Sequence, residues 1–160
     1  MVDHTSDPDV SPPAGSPTGW DPSRGWEHAT LRRAAVHGVR LFNAGEHHGA
    51  HDCFELEWYN YGRGSTESAF CHGMVQIAAG AHKRLAHDSD AGLRSLYETA
   101  LEYLRDVPHD FYGVDVLGAR TLATNAIADP AVVDEARLRI DGEAPVATAT
   151  DHAYLASIEE

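Results

Sequence analysis

Apolar residues recur at helical spacing over most of the chain. Leu31, Ala34, Ala35, Val39 and Phe42 keep a 3.6-residue period, and Gly45 stands where a C-terminal cap belongs, which predicts a first helix over 27–44. A second helix over 46–59 is closed by Gly62 and Gly64. The third runs from a Ser65–Thr66 cap to residue 87, with Phe70, Met74, Ile77, Ala81 and Leu85 on one side. Its other side carries Ala69, Gly73, Gln76 and Gly80, a stripe small enough for another helix to approach closely. Two packed sides predict a place in the middle of a bundle. The stripe also leaves the seam of a homo-oligomer open, but the contact within one chain is favoured because this helix must pack somewhere.

Asp88, Ser89 and Asp90 supply caps for a fourth helix over 88–105, with Leu93, Leu96, Tyr97, Ala100, Leu101 and Leu104 inward and Val107-Pro108 as its stop. Asp115 caps a fifth over 115–126, closed by Asp129-Pro130. Beyond it, 131–139 reads as a short helix or an edge strand and 142–150 as a loose tail. Before the first helix the chain is rich in Pro, Ser, Gly and Asp, with Trp20 and Trp26 able to pin its end to the body. The expected fold is therefore all-α: a compact, irregular, single-domain bundle of about five helices. Residues 1–25 are expected as a flexible acidic, Pro-rich arm, 26–128 as the helical domain, and 129–160 as a partly ordered C-terminal extension.

Charge narrows the partners. With 25 acidic against 12 basic residues the net charge is −13, so the long-range field repels nucleic acid. Lys83 is the only lysine. An acidic surface combined with an ordinary 42% of hydrophobic residues suggests a halophilic protein, hydrated in concentrated salt. No apolar run approaches the roughly 20 residues of a membrane span, and the N-terminus lacks the basic start of a signal peptide, so no membrane partner and a cytoplasmic location are expected. Cys53 and Cys71 form no Cys-x-x-Cys pair and read as buried free thiols.

Chemistry concentrates in one run, residues 45–59, which holds His47, His48 and His51 among Asp52, Glu55 and Trp58. At 100° per residue His51, Glu55 and Trp58 share a side of the second helix, flanked by His47 and Phe54. Together with Phe42-Asn43-Ala44-Gly45-Glu46, Ala50, Gly73-Met74-Val75-Gln76 and His82, this run resembles the DUF309 family of small all-α proteins, and the chain looks like a haloarchaeal-like member. The resemblance covers about 31–124. It implies a compact bundle of about five helices and brings no established activity. His47 and His48 stand where the family has aromatics, Gly49 where it has Glu and Asp52 where Glu is usual, which makes His47 and His48 poor candidates for a shared family site.

Two functions remain open. In the first, the cluster between helices two and three is a metal-dependent or acid/base site, with His51 and Glu55 as catalytic candidates and Trp58 and Gln76 as ligand-binding ones. His51 and Glu55, four residues apart, suit a divalent metal if His82 on the third helix adds a ligand. Gln76 and His82 lie about 120° apart on a helical wheel, so both cannot easily face His51. As an acid/base pair, His51 could work with Glu55 or Asp52. Cys53 lies about 200° round the helix from His51, and no nucleophile elbow, phosphate loop or dinucleotide fingerprint is present. In the second, the protein is a non-catalytic binding or assembly module and the cluster is a buried network that fixes helix packing. Whether the chain is an enzyme, and which small molecule it takes, stay open at this point.

Overall fold

The structure, a computed structural model, describes residues 10–159. Residues 1–9 of the expected arm lie outside them. The five expected helices are present: α1 (Ala29–Asn43), α2 (His47–Trp58), α3 (Thr66–His87), α4 (Asp90–Leu104) and α5 (Val116–Ala128). A 3-10 helix, Pro130–Glu135, and α6 (Ala149–Ile158) follow, so the described residues hold seven helices rather than five. The remaining regular structure is two antiparallel hairpins of two-residue strands, β1 (Trp20–Asp21) with β2 (Gly25–Trp26) and β3 (Asp110–Phe111) with β4 (Val114–Asp115).

Local chemistry sets most of the helix ends. The side chains of Ser65, Ser89 and Asp115 accept from Ser68 N, Gly92 N and Gly118 N, each satisfying a backbone donor that the first turn leaves unpaired. After α1, Gly45 takes a left-handed φ of 83° at no steric cost. Between β3 and β4, Tyr112 and Gly113 both have positive φ, the turn that matches the twist of a two-residue hairpin loop.

Helix α3 is the middle of the bundle, with α2 on one side and α4 on the other. A Cβ at Gly73 would lie 2.5 Å from Leu104 Cδ2 and one at Gly80 2.4 Å from Tyr97 Cε1, so the small-residue stripe faces α4 within the chain. Phe70, Met74, Ile77 and Ala81 are fully buried. Leu85, expected on the same stripe, is 47% exposed. Trp58 at the end of α2 bonds Ser68, and His48 near its start meets His82. The 12-residue α2 is therefore used up before the 22-residue α3 reaches its last turn.

From Val10 on, the segment read as a flexible arm is tied to the body. Trp26 Nε1 donates to Ser11 O at 2.9 Å, Thr18 N to Asp110 O at 3.0 Å and Tyr112 N to Thr18 O at 2.9 Å. Trp26 stacks on Tyr112 at 5.5 Å between ring centroids. Composition predicts an unstructured segment because it weighs Pro and Gly and cannot weigh two tryptophans finding a slot.

Three buried polar contacts hold residues 129–159 in place. Asn43 Nδ2 donates to Leu138 O (2.9 Å) and Pro145 O (2.7 Å), and Asn43 Oδ1 accepts from Leu138 N (2.7 Å). The Arg32 guanidinium donates to Tyr112 O (2.7 Å) and forks onto both Asp141 oxygens (3.1 and 2.6 Å) while lying over the Trp26 ring. Asp151, fully buried, accepts from Thr148 N at 2.7 Å in a capping box at the start of α6 and pairs with His37 Nδ1 at 2.8 Å. Tyr154 stacks on His37 at 4.0 Å, and the missing side chain of Gly49 makes room for Leu155. The expected loose tail at 142–150 is thus the approach to a docked helix.

Two outcomes follow from this packing. Gly80→Val should lower stability by about 1–3 kcal/mol, since even its first carbon meets the fully buried Tyr97 ring, and thermal unfolding followed by circular dichroism would show it. The docking of α6 should weaken with acid. Burial lowers the His37 pKa, against the pull of Asp151 and with the push of Arg40 and Arg33. That stability is present above the unfolded value of about 6.5 and lost as pH falls through the folded one. Burial opposes the Asp151 carboxylate, but the bonds from Thr148 and His37 and the charge of Arg40 outweigh it and hold its pKa low, so its contribution is lost further down, below about pH 4. The unfolding midpoint should fall between pH 7 and 5 and again below 4, with the first step smaller in His37→Gln; a midpoint that rises on acidification to pH 5 would contradict the assignment.

Candidate functional site

Helix α2 buries His47, Gly49, Ala50, Cys53, Phe54 and Glu57 and turns 48, 51, 52 and 55 outward. Apolar bulk decides this: Phe54 fills the space over Gly38 of α1 and meets Phe70 of α3. The side that is far from His51 is the core side, where burial pushes the Cys53 thiol up to about 12 and the Cys71 thiol well above its ordinary value. Neither cysteine is a nucleophile in this state.

The His51 side chain is 24% exposed and Glu55 41%. Its Nδ1 lies 3.0 Å from Asp52 Oδ1 and its Nε2 3.3 Å from Glu55 Oε2, so one imidazole is held between two carboxylates. The other oxygen of Asp52 lies 3.3 Å from His48 Nδ1. The His48 ring stands 5.8 Å from that of His51 and 5.3 Å from that of His82, and His82 meets His87 at 5.0 Å. Burial, reinforced by the neighbouring His48, His87, His51 and Lys83, lowers the His82 pKa, which keeps that ring neutral. The start of α2 and the end of α3 thus share a patch of four imidazoles edged by carboxylates.

Among the described residues His51, Glu55 and His82, the expected metal set, do not bring their ligand atoms within 4.8 Å of one another; the His48 ring stands beside both His51 and His82. Two other groups of three do, each with one ligand atom per residue within 4.8 Å of the rest: His48, Asp52 and Glu159, and Glu27, His28 and Glu67. In the first, Glu159 caps the C-terminal end of α6 and meets Asp52 directly, and this contact raises the Glu159 pKa, followed by burial and the Asp52 charge. In the second, His28 Nε2 lies 3.7 Å from both Glu27 Oε1 and Glu67 Oε2.

Trp58 and Gln76 belong elsewhere. Trp58 Nε1 donates to Ser68 Oγ at 2.9 Å, and its ring stands 4.3 Å from His72, which stacks on Tyr103 at 3.7 Å. Gln76 is half-buried and hydrogen-bonds neither His51 nor Trp58 among the described residues. The single polar cluster expected from the helical wheel is therefore two sites at opposite ends of α2, since seven residues of helix separate His51 from Trp58 by roughly 10 Å of rise.

Three functional-looking residues escape a reading of the sequence. Glu57 is buried and accepts from Thr30 Oγ1 (2.9 Å) and Tyr61 OH (2.5 Å); only the Tyr61 four residues on hinted that a Glu on this stripe had a partner. His48 reads as an outlier from the family pattern. Glu159 falls in the expected partly ordered C-terminal extension, and no local signal connects it with Asp52.

Among the described residues no helix is long and apolar enough to cross a membrane. The family model described as a domain of unknown function (DUF309) matches residues 35–96, less than half of the chain, and supports the resemblance there. The match contains His48, His51, Asp52, Glu55, Trp58, Gln76 and His82; Tyr103, Asp151 and Glu159 lie outside it. No curated protein matches the chain.

Proposed function

We propose that the protein is a divalent-metal-binding module whose ion sits between His48, Asp52 and Glu159. The observation that carries this is the convergence of one imidazole and two carboxylates from α2 and the end of α6 within 4.8 Å. Two carboxylates in contact repel unless a proton or a cation lies between them, and here imidazoles surround the pair. A mixed nitrogen and oxygen donor set suits zinc, cobalt or nickel. His51 acts through Asp52: its bond to Oδ1 aims Oδ2 at His48 and the ion. Three protein ligands at an exposed edge leave coordination positions for water or substrate, which is the arrangement of a reactive rather than a purely structural ion. The half-exposed His51 and Glu55 side chains weigh against the rival reading, in which they form a buried packing network.

Calorimetric titration of tag-free protein with Zn²⁺ tests this. One saturable equivalent is expected, weakened at least tenfold, about 1.4 kcal/mol, in Asp52→Asn, His48→Ala and Glu159→Gln and less in His51→Ala. Equal affinity in Asp52→Asn and wild type would sink the proposal, and loss in Glu67→Gln alone would move the ion to the other group. We also infer a salt requirement from the charge of −13. The unfolding midpoint should climb as KCl rises from 0.1 to 2 M, because screening shortens the reach of acidic self-repulsion from about 10 Å at 0.1 M. A flat profile removes that idea.

A further inference from the structure

At the other end of α2, independent of the metal reading, lies a cleft of about 730 Å³ between Trp58, the loop 59–65, the first turns of α3 and Tyr103 of α4. That volume falls in the range of sites for small organic ligands. Its walls are aromatic: the ladder Trp58, His72, Tyr103 spans three helices at 4.3 and 3.7 Å, and Tyr59 lies 6.4 Å from Trp58 with its ring tilted only 23°. Tyr59 is 76% exposed and Tyr103 39%, so ring surface beyond these stacking contacts stands open to water. The bond from Trp58 to Ser68 fixes the indole in place before any ligand arrives. Burial lowers the His72 pKa, which leaves a neutral ring in the ladder.

Arg63 is the only charged side chain lining the cleft. In a chain with 25 acidic residues it makes no ion pair among the described residues, and it stands exposed in the loop between Gly62 and Gly64. Its planar fork fits a carboxylate with two parallel hydrogen bonds. We propose that this cleft binds a flat aromatic carboxylate, with the ring against Trp58 and Tyr103 and the carboxylate on Arg63. Screening in physiological salt confines the reach of the acidic surface charges to about 8 Å, so carboxylates farther than that from the cleft add little repulsion.

Calorimetry with three probes that share one ring system and differ in charge tests the assignment: 2-naphthoate, 2-naphthamide and 2-naphthylmethylammonium, with EDTA present so that a bound metal plays no part. Naphthoate should bind at least tenfold more tightly than the other two. Arg63→Ala, at an exposed loop position, should reduce naphthoate to the affinity of the amide, and Tyr103→Ala should weaken all three probes. Tightest binding of the ammonium, equal binding of the three, or no saturable binding of naphthoate at millimolar concentration would each overturn the proposal. Zinc binding would be untouched by any of these results, so this inference and the metal reading can fail separately.

Discussion

The approach of α4 to α3 at Gly73 and Gly80 is the constraint on which the rest depends. Leu104 and Tyr97 occupy the volume where side chains would otherwise stand, so the two helices interlock at a fixed register. With α4 held on one side, the other side of α3 is left to α2, and Phe54 and Phe70 close that contact. Both candidate sites then lie at an end of the α2 and α3 pair. The imidazole patch forms where α2 begins and α3 ends, and the aromatic cleft forms where α2 ends, α3 begins and Tyr103 of α4 arrives.

The C-terminal segment completes what the helical pairs begin. Asn43 uses both ends of its amide to hold Leu138 and Pro145, and Arg32 ties Asp141 to the β3–β4 turn. Each of these is a buried polar group whose partners come from the last third of the chain, and each would be costly to leave unpaired, by about 1–3 kcal/mol. Asp151 then docks α6 on α1, and the helix carries Glu159 to Asp52. Departures from the family pattern make sense in this setting. Gly49 is small because Leu155 of α6 lies over it, and His48 is polar because it faces outward toward Asp52 and His82.

Helix positions were legible because periodicity and capping are local. Ser65, Ser89 and Asp115 act as the caps their types suggest, and Phe70, Met74, Ile77 and Ala81 bury the stripe they spell out. Helix α6 was missed although Thr148 and Asp151 form a capping box, since Ala149 to Ile158 lacks a continuous apolar stripe and its main buried side chain is a carboxylate. The site was half legible. His51 and Glu55 do share a direction, but a helical wheel cannot show that Phe54 takes the core and leaves them outside, nor that Trp58 sits too far along the axis to join them.

The sequence by itself determined the positions and order of the first five helices, and the concentration of imidazoles and carboxylates on α2, because these rest on interactions within one or two turns. Only the tertiary structure decided which of those groups meet. The pairing of Asp52 with Glu159, of Asp151 with His37, and of His72 with Trp58 and Tyr103 joins residues on different helices. Such contacts are set by how buried volume is shared between helices, a property of the whole packed core that no local pattern carries.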